Sequence, residues 1–526
     1  MNRTLLFAFV CLFGLMCSSH LMAQNQAPVI SNLAVVNNAT QNQLVVTFDV
    51  SDAENDLLEL QLSISDDFGQ TYLVTSGTIS GDQGFPMFQG NGKSIVWNYP
   101  SSVTSLQGYK VRIVADDRQP VDLAALLQQV DSNRMRQNLT FVQGIRHYSA
   151  NPSQLEAVKD SLERLFLVND WQADRQAFTF SNYNAHNILG RKPGLYEESK
   201  TYVLDGHFDG VNDSPGADDN GSAVVALMEA AIVLKDQHFG RSLRLIGFDF
   251  EESGLVGSQE YVANGIETWE TIEGVINLEM IGYFDNAPNS HSLPTGFNLL
   301  FPDAYNAVAN DNFRGNFIAN VANTASNDLK DQFDSCANAL VPNLRVISLA
   351  VSGTGTAVPD LRRSDHARFW DAGIPALMIT DGANFRNPYY HSPADTLDLL
   401  DFGFMRQVTQ AALATLVKLA DIRHADVVST WVEPLSTVGN AKLSAKSVKV
   451  FPNPSQSELF LGFPRVTTQI QTVVLFSLSG KLLWQQTLSP GRNNYQLDLS
   501  EMPSGAYEIV ISDGESRENH TLIIQR

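Results

Sequence analysis

Between residues 121 and 425 the chain alternates apolar runs with amphipathic segments, and that alternation constrains the fold more than any other feature. Several of the runs TYVLDG, SLRLIGFDF, EGVINLEM, LRVISLAV and IPALMIT are continuously apolar, as strands covered on both faces are. Helical patterns lie between them. SQLEAVKDSLERLF opens with Ser153 and Glu156 at capping-box spacing and sets Leu155, Val158, Leu162 and Leu165 on one face. NGSAVVALMEAAIVLKD repeats the spacing with Ala223, Leu227, Ala230 and Leu234. Doubly buried strands separated by helices predict a three-layer α/β/α domain with a mostly parallel sheet over 121–425. Functional residues in that architecture gather where strands leave the sheet at their carboxyl ends.

The flanks read differently. Over residues 27–119, QLVVTFDV and LELQLSIS alternate, SDDFG forms a turn and SIVWNY is a further strand, with no helical pattern. This predicts a small β-sandwich, and the segment resembles the immunoglobulin or fibronectin-like modules that precede secreted enzymes. A polar linker is expected at 426–447, followed by a second all-β sandwich over 448–526. There FPNP, SLSGKLL and MPSGAYEIVI stand in an order that resembles the C-terminal sorting domain of the type IX secretion system. That resemblance implies handling by the type IX machinery and delivery outside a Gram-negative cell or onto its outer-membrane surface.

The first residues, MNRTLLFAFVCLFGLMCSSHLMAQNQ, combine one Arg with an apolar run from Leu5 to Cys17 and read as a secretory signal peptide over 1–23. Removing it takes Cys11 and Cys17 and leaves Cys336 alone, so no internal disulfide is expected. No later segment is apolar enough to span a bilayer. With 35 basic against 57 acidic residues the net charge is −22, which repels phosphate backbones and argues against a nucleic-acid partner.

Polar residues at the strand ends carry the chemistry. YVLDGHFDG leaves its strand with His207 and Asp209, PGADDNGS places Asp219 at a helix start, FDFEESG ends a run with Glu251 and Glu252, NLEMIGYF brings out Glu279, and YYHSPADT supplies His391. Taken singly, these residues are also explained by helix caps and turns. Together they supply imidazoles and carboxylates in one region of the expected fold. If His207, Asp219, Glu252, Glu279 and His391 are ligands, their three negative charges face four from two zinc ions, and the mixed nitrogen and oxygen set suits zinc over magnesium or calcium.

In order and spacing these motifs, with SDHARFWDAGIPALMITDG, resemble the co-catalytic zinc aminopeptidases of metallopeptidase family 28 through most of residues 121–425. The resemblance implies that His207 and Glu279 hold one zinc ion, Glu252 and His391 the other, and that Asp219 bridges both. It makes Glu251 the general base, has Asp209 orient His207, suggests a cis Asp219–Asn220 peptide, and puts Asp365 and Arg386 near the substrate pocket. Glu279 stands where many members carry Asp. The implied activity is removal of N-terminal residues from peptides by metal-activated water. A carboxypeptidase, a glutaminyl-cyclase-like enzyme and an inactive surface binding protein remain alternative readings of the same residues.

Overall fold

The computed structural model describes residues 25–67, 69–106, 108–432 and 448–525, apart from 454, 457, 463–470, 478–481, 490–493 and 513–516. The expected signal peptide and most of the expected linker lie outside the described residues.

An eight-stranded mixed sheet forms the centre, in the order Val346–Val351, Ile318–Asn323, Ala376–Thr380, Thr271–Glu279, Glu197–His207, Arg241–Phe248, Tyr183–Lys192 and Gln172–Phe180. The sheet is parallel through Ala376–Thr380, Thr271–Glu279, Glu197–His207 and Arg241–Phe248, and antiparallel where Tyr183–Lys192 and Ile318–Asn323 join it on either side. The outermost pair Ile318–Asn323 and Val346–Val351 is again parallel, so the expectation of a mostly parallel sheet holds for the middle and one margin, and fails where Ile318–Asn323 meets Ala376–Thr380 and at the Tyr183–Lys192 side. Gln172–Phe180 and Tyr183–Lys192 are joined by a tight hairpin, which forces antiparallel pairing.

Adjacent residues on each central strand feed opposite cores, as a period of two requires. Leu204, Leu245 and Ile276 pack against the helices Ser132–Val142, Pro152–Val168, Ser222–Val233, Asn327–Leu340 and Phe402–Leu419. Val203, Ile246 and Val275 pack on the other side with Tyr261, Phe369 and Trp370. These are the three expected layers. The helix Ser222–Val233 is apolar nearly all round because the sheet and its neighbouring helices enclose it. Helix Pro152–Val168 starts two residues earlier than the Ser153–Glu156 box predicts: Asn151 is its N-cap, accepting the Gln154 N–H at 3.3 Å, and Pro152 occupies the first turn, where its missing N–H costs nothing.

The N-terminal domain pairs two four-stranded sheets over an apolar core that includes Leu44, Val46, Leu60, Leu62, Trp97 and Ile113. One edge strand comes from far along the chain: Ala425–Trp431, expected as linker from 426, pairs antiparallel with Lys110–Asp116. Its isolated stretch of sequence looks polar, but the strand edge beside it supplies the hydrogen bonds that order it. Behind it Val114, Leu195 and Ala425 form a small apolar contact, and Glu198, held within the α/β domain by Arg191 at 2.8 Å, meets Arg112 of the β domain at 3.7 Å, a buried ion pair across the junction. The C-terminal segment forms a three-stranded and a four-stranded antiparallel sheet around Leu459, Leu475, Ile509 and Leu522. Cys336 is buried and free.

Candidate metal centre

The parallel direction of the central strands puts their carboxyl ends on one edge. Glu197–His207 ends in His207, Arg241–Phe248 runs into the Asp249–Glu252 turn, Thr271–Glu279 ends in Glu279, and Ala376–Thr380 leads through the 381–390 loop to His391. Asp219 enters from the turn Ala217–Gly221. Of the acids in FDFEESG, Asp249 is answered by the buried Lys159 at 2.6 Å, while Glu251 and Glu252 face the cluster.

Asp219 divides its carboxylate between the two imidazoles: Oδ1 lies 3.4 Å from His207 Nε2 and Oδ2 lies 3.0 Å from His391 Nε2. Glu279 Oε2 and Glu251 Oε2 stand 3.5 and 3.8 Å from His207 Nε2, and Glu252 Oε2 stands 3.2 Å from His391 Nε2. Two donor groups result, His207 with Glu251 and Glu279, and Asp219 with Glu252 and His391, each with its atoms within 4.8 Å of one another.

The hydrogen-bond pattern tests whether a cation fits there. His207 Nδ1 lies 3.1 Å from the Asp209 carbonyl oxygen, an acceptor, so the ring carries its proton on Nδ1 and presents a lone pair at Nε2. His207 Nε2, His391 Nε2, Asp219 Oδ2 and Glu252 Oε1 are buried without a hydrogen-bond partner. With no other polar partner at hand, these converging nitrogens and oxygens form a candidate ligand set whose chemistry fits zinc.

Electrostatics show the same need for positive charge. Burial opposes protonation of His207, yet Glu251, Asp209, Asp219 and Glu279 outweigh it and raise its pKa well above the usual imidazole range. Burial pushes Glu251 well up and Glu252 up to about 7, with Asp219 adding to the second. Acids this deep stay charged only beside cations.

A polar frame holds the donors. Asp209 accepts the backbone N–H groups of Glu251 at 3.0 Å and Glu252 at 3.1 Å, while its Oδ1 stands 3.5 Å from His207 Nδ1. The Asp209 backbone carbonyl, nearer than its carboxylate, therefore orients the ring. Asp218 accepts the Gly282 N–H and the Asn387 Nδ2–H, both at 2.9 Å. Asn220 donates to the Leu278 carbonyl at 2.9 Å and accepts the Met280 N–H at 3.1 Å, clamping the end of the Glu279 strand, and the Asp219–Asn220 peptide is cis. Ser364 donates to Glu279 Oε2 at 2.8 Å.

Sequence reasoning missed Arg146 and Asp395. Arg146 is fully buried and donates to the carbonyls of Phe208 at 2.7 Å and of Pro215 and Gly216 at 2.8 Å, tying the His207 strand end to the Asp219 turn. Asp395 accepts the N–H groups of Asp218 at 3.0 Å and Asp219 at 3.1 Å. A single Arg in QGIRHYSA carries no periodic or motif signal. Asp395 lies within the YYHSPADT motif, but only its contacts reveal its use.

A cavity of about 90 Å³ opens beside Glu279, lined by Leu293, Phe297, Phe317, Met378 and Tyr390. Tyr390 stacks on His391 with ring centroids 3.8 Å apart. Neither Asp365 nor Arg386 lines this cavity. Asp365 is fully buried near His207 and Glu279, with burial raising its pKa to about 7. Arg386 is 5% exposed, donates to the Tyr283 carbonyl at 3.3 Å and lies 4.5 Å from the Phe317 ring.

Paired imidazoles and carboxylates at the carboxyl edge of a parallel sheet centre define the class of site as a cation centre suited to hydrolysis. Residues 187–416 match peptidase family M28, and residues 449–525 match a secretion system C-terminal sorting domain. The uncharacterized protein YfbL of Escherichia coli is 34% identical over 206 residues, covering 39% of this chain and 59% of that protein. A probable leucine aminopeptidase 1 of Trichophyton verrucosum is 27% identical over 316 residues, covering 56% of this chain and 76% of its own length. Among solved structures, a zinc aminopeptidase from Bacillus subtilis is 25% identical, with 46% of this chain and 52% of that chain covered and a TM-score of 0.34.

Proposed function

We propose that this protein is an exported aminopeptidase working with two zinc ions, His207 and Glu279 holding one, Glu252 and His391 the other, and Asp219 shared between them. The observation that carries this reading is the divided Asp219 carboxylate, one oxygen toward each imidazole at 3.4 and 3.0 Å. Zinc bound to such a set polarises a scissile carbonyl and lowers the pKa of water.

The chain's own groups do the rest. Glu251 takes the proton from the attacking water and delivers it to the leaving amine. It is the farthest of the three carboxylates within 4 Å of His207 Nε2, at 3.8 Å against 3.4 Å for Asp219 and 3.5 Å for Glu279, which suits a group that moves a proton over one that is held. Asp209 fixes both glutamates through their backbone N–H groups, so their carboxylates keep different tasks although they are neighbours in sequence. The apolar cavity beside Glu279 receives an apolar side chain at the peptide's N-terminus, in keeping with a relative named for leucine. A substrate carboxylate there would meet Phe297, Phe317 and Met378, with Arg363 also bordering the cavity. The sorting domain supports export by the type IX machinery to the surface or surroundings of a Gram-negative cell. Among the described residues no helix is long and apolar enough to cross a membrane.

The test is a panel of free-amine, N-blocked and N-terminal Gln peptides, with and without chelator, alongside metal analysis. Release of N-terminal residues from free-amine peptides, lost with chelator, and about two zinc equivalents per chain are expected. Cleavage of N-blocked peptides from the other end would make the protein a carboxypeptidase, and cyclisation without hydrolysis a cyclase. A metal-free chain without turnover would make it a surface binding protein.

A further inference from the structure

Far along the chain from those ligands, three carboxylates meet at one end of the N-terminal β domain. Asp52 and Asp56 belong to the loop between Gln43–Ser51 and Leu58–Ser65, and Asp117 follows Lys110–Asp116. One oxygen from each falls within 4.8 Å of the other two. Asp52 is 6% exposed and Asp117 2%. Asp56 is partly exposed, but two buried like charges with a third beside them repel, so the arrangement calls for a counter-charge.

No neighbouring Lys or Arg among the described residues supplies it. Asp52 Oδ1 accepts the backbone N–H of Glu54 at 3.1 Å and of Asp56 at 2.8 Å, while Asp52 Oδ2 is buried with no hydrogen-bond partner. Asp117 Oδ1 accepts the Gln119 N–H at 2.8 Å, and its Oδ2 meets Asn25 Nδ2 and His424 Nδ1, each at 2.7 Å. The Gln119 side chain bonds to Asp56. Among the described residues no Lys or Arg forms an ion pair with any of the three, and His424 is the one basic group in contact.

We propose that Asp52, Asp56 and Asp117 bind a divalent cation of the calcium type. The donors are all carboxylate oxygens, hard ligands that suit calcium and lack the imidazole of the catalytic set. The consequence is structural. Asp117 stands where the β domain hands the chain to the α/β domain, and its contacts with Asn25 and His424 reach the first described residue and the approach to the returning strand Ala425–Trp431. A cation there locks the Asp52–Asp56 loop to this junction and stiffens the docking of the two domains, leaving the hydrolytic chemistry alone.

The experiment uses the full chain with its zinc sites saturated, titrated with calcium by calorimetry and followed by thermal unfolding. One saturable site with a Kd on the order of 10⁻⁴–10⁻³ M, the range of extracellular calcium modules, is expected, with a rise in Tm. Asp52→Asn should weaken calcium binding at least about tenfold and remove the Tm shift, with peptide hydrolysis below the melting range unchanged. Asp56→Asn, on a less buried loop position, should do the same if Asp52→Asn fails to fold. The absence of saturable calcium uptake by the unaltered chain overturns the proposal, as does wild-type affinity in the substituted chains.

Discussion

Asp209 holds Glu251 by its backbone: Asp209 Oδ1 accepts the Glu251 N–H at 3.0 Å, and its other oxygen takes the N–H of Glu252 at 3.1 Å. Asp209→Asn replaces one of these acceptors with an amide donor that faces an N–H. The turn then loosens, and both turnover and zinc retention should fall by about 10–100-fold. Chelator competition read beside kcat checks this, because a role confined to proton transfer would leave zinc retention unmoved.

Glu251→Gln keeps the shape of the side chain and removes its basicity. Turnover should drop by roughly 10²–10⁴-fold while zinc content holds near its starting value. Undiminished kcat in this variant would assign the proton transfer to another group.

Arg146 is a buried cation whose donors satisfy the carbonyls of Phe208, Pro215 and Gly216 around the metal loops. Burial lowers its pKa, with the charge of Asp219 and Asp395 opposing. Arg146→Met fills similar length but leaves those carbonyls unpaired and the acids without their neighbour. A loss on the order of 3–5 kcal/mol is expected in denaturant unfolding, with zinc affinity reduced as well.

Acid should destabilise the fold through two buried neutral histidines. Burial lowers His366 to about 4, and burial followed by the charge of Arg386 lowers His291 to about 3. Both folded values lie below the unfolded value of about 6.5, so the unfolded chain binds more protons in acid; the stability they contribute is present above that pH and is lost as pH falls through about 4. Between pH 6 and 5, His366→Asn should flatten the fall in stability by up to ~1.4 kcal/mol per pH unit, one proton's worth. Urea midpoints taken in chelator, to remove metal-linked proton release, measure the slope.

Much of this could be read from the chain. Runs such as SLRLIGFDF and EGVINLEM announced doubly buried strands because burial imposes a local pattern, and Glu251, Glu252 and Glu279 stood out because acids rarely end such runs without a task. Local pattern cannot choose a distant partner. The strand Ala425–Trp431 was hidden because its order comes from an edge more than three hundred residues earlier, at Lys110–Asp116. Arg146 was hidden for a similar reason, since its value lies in carbonyls on two other segments.

The sequence by itself determined the layered α/β domain between β flanks and the kinds of side chain at the strand ends, because periodicity and composition record which groups water must not reach. Only the tertiary structure decided that four neighbouring strands run parallel, which brings His207, Glu251, Glu279 and His391 to one edge, and that Asp219 divides its oxygens between two imidazoles. Convergence is a property of chain packing: residues nearly two hundred positions apart share a centre once strand order and direction have set the loops that carry them.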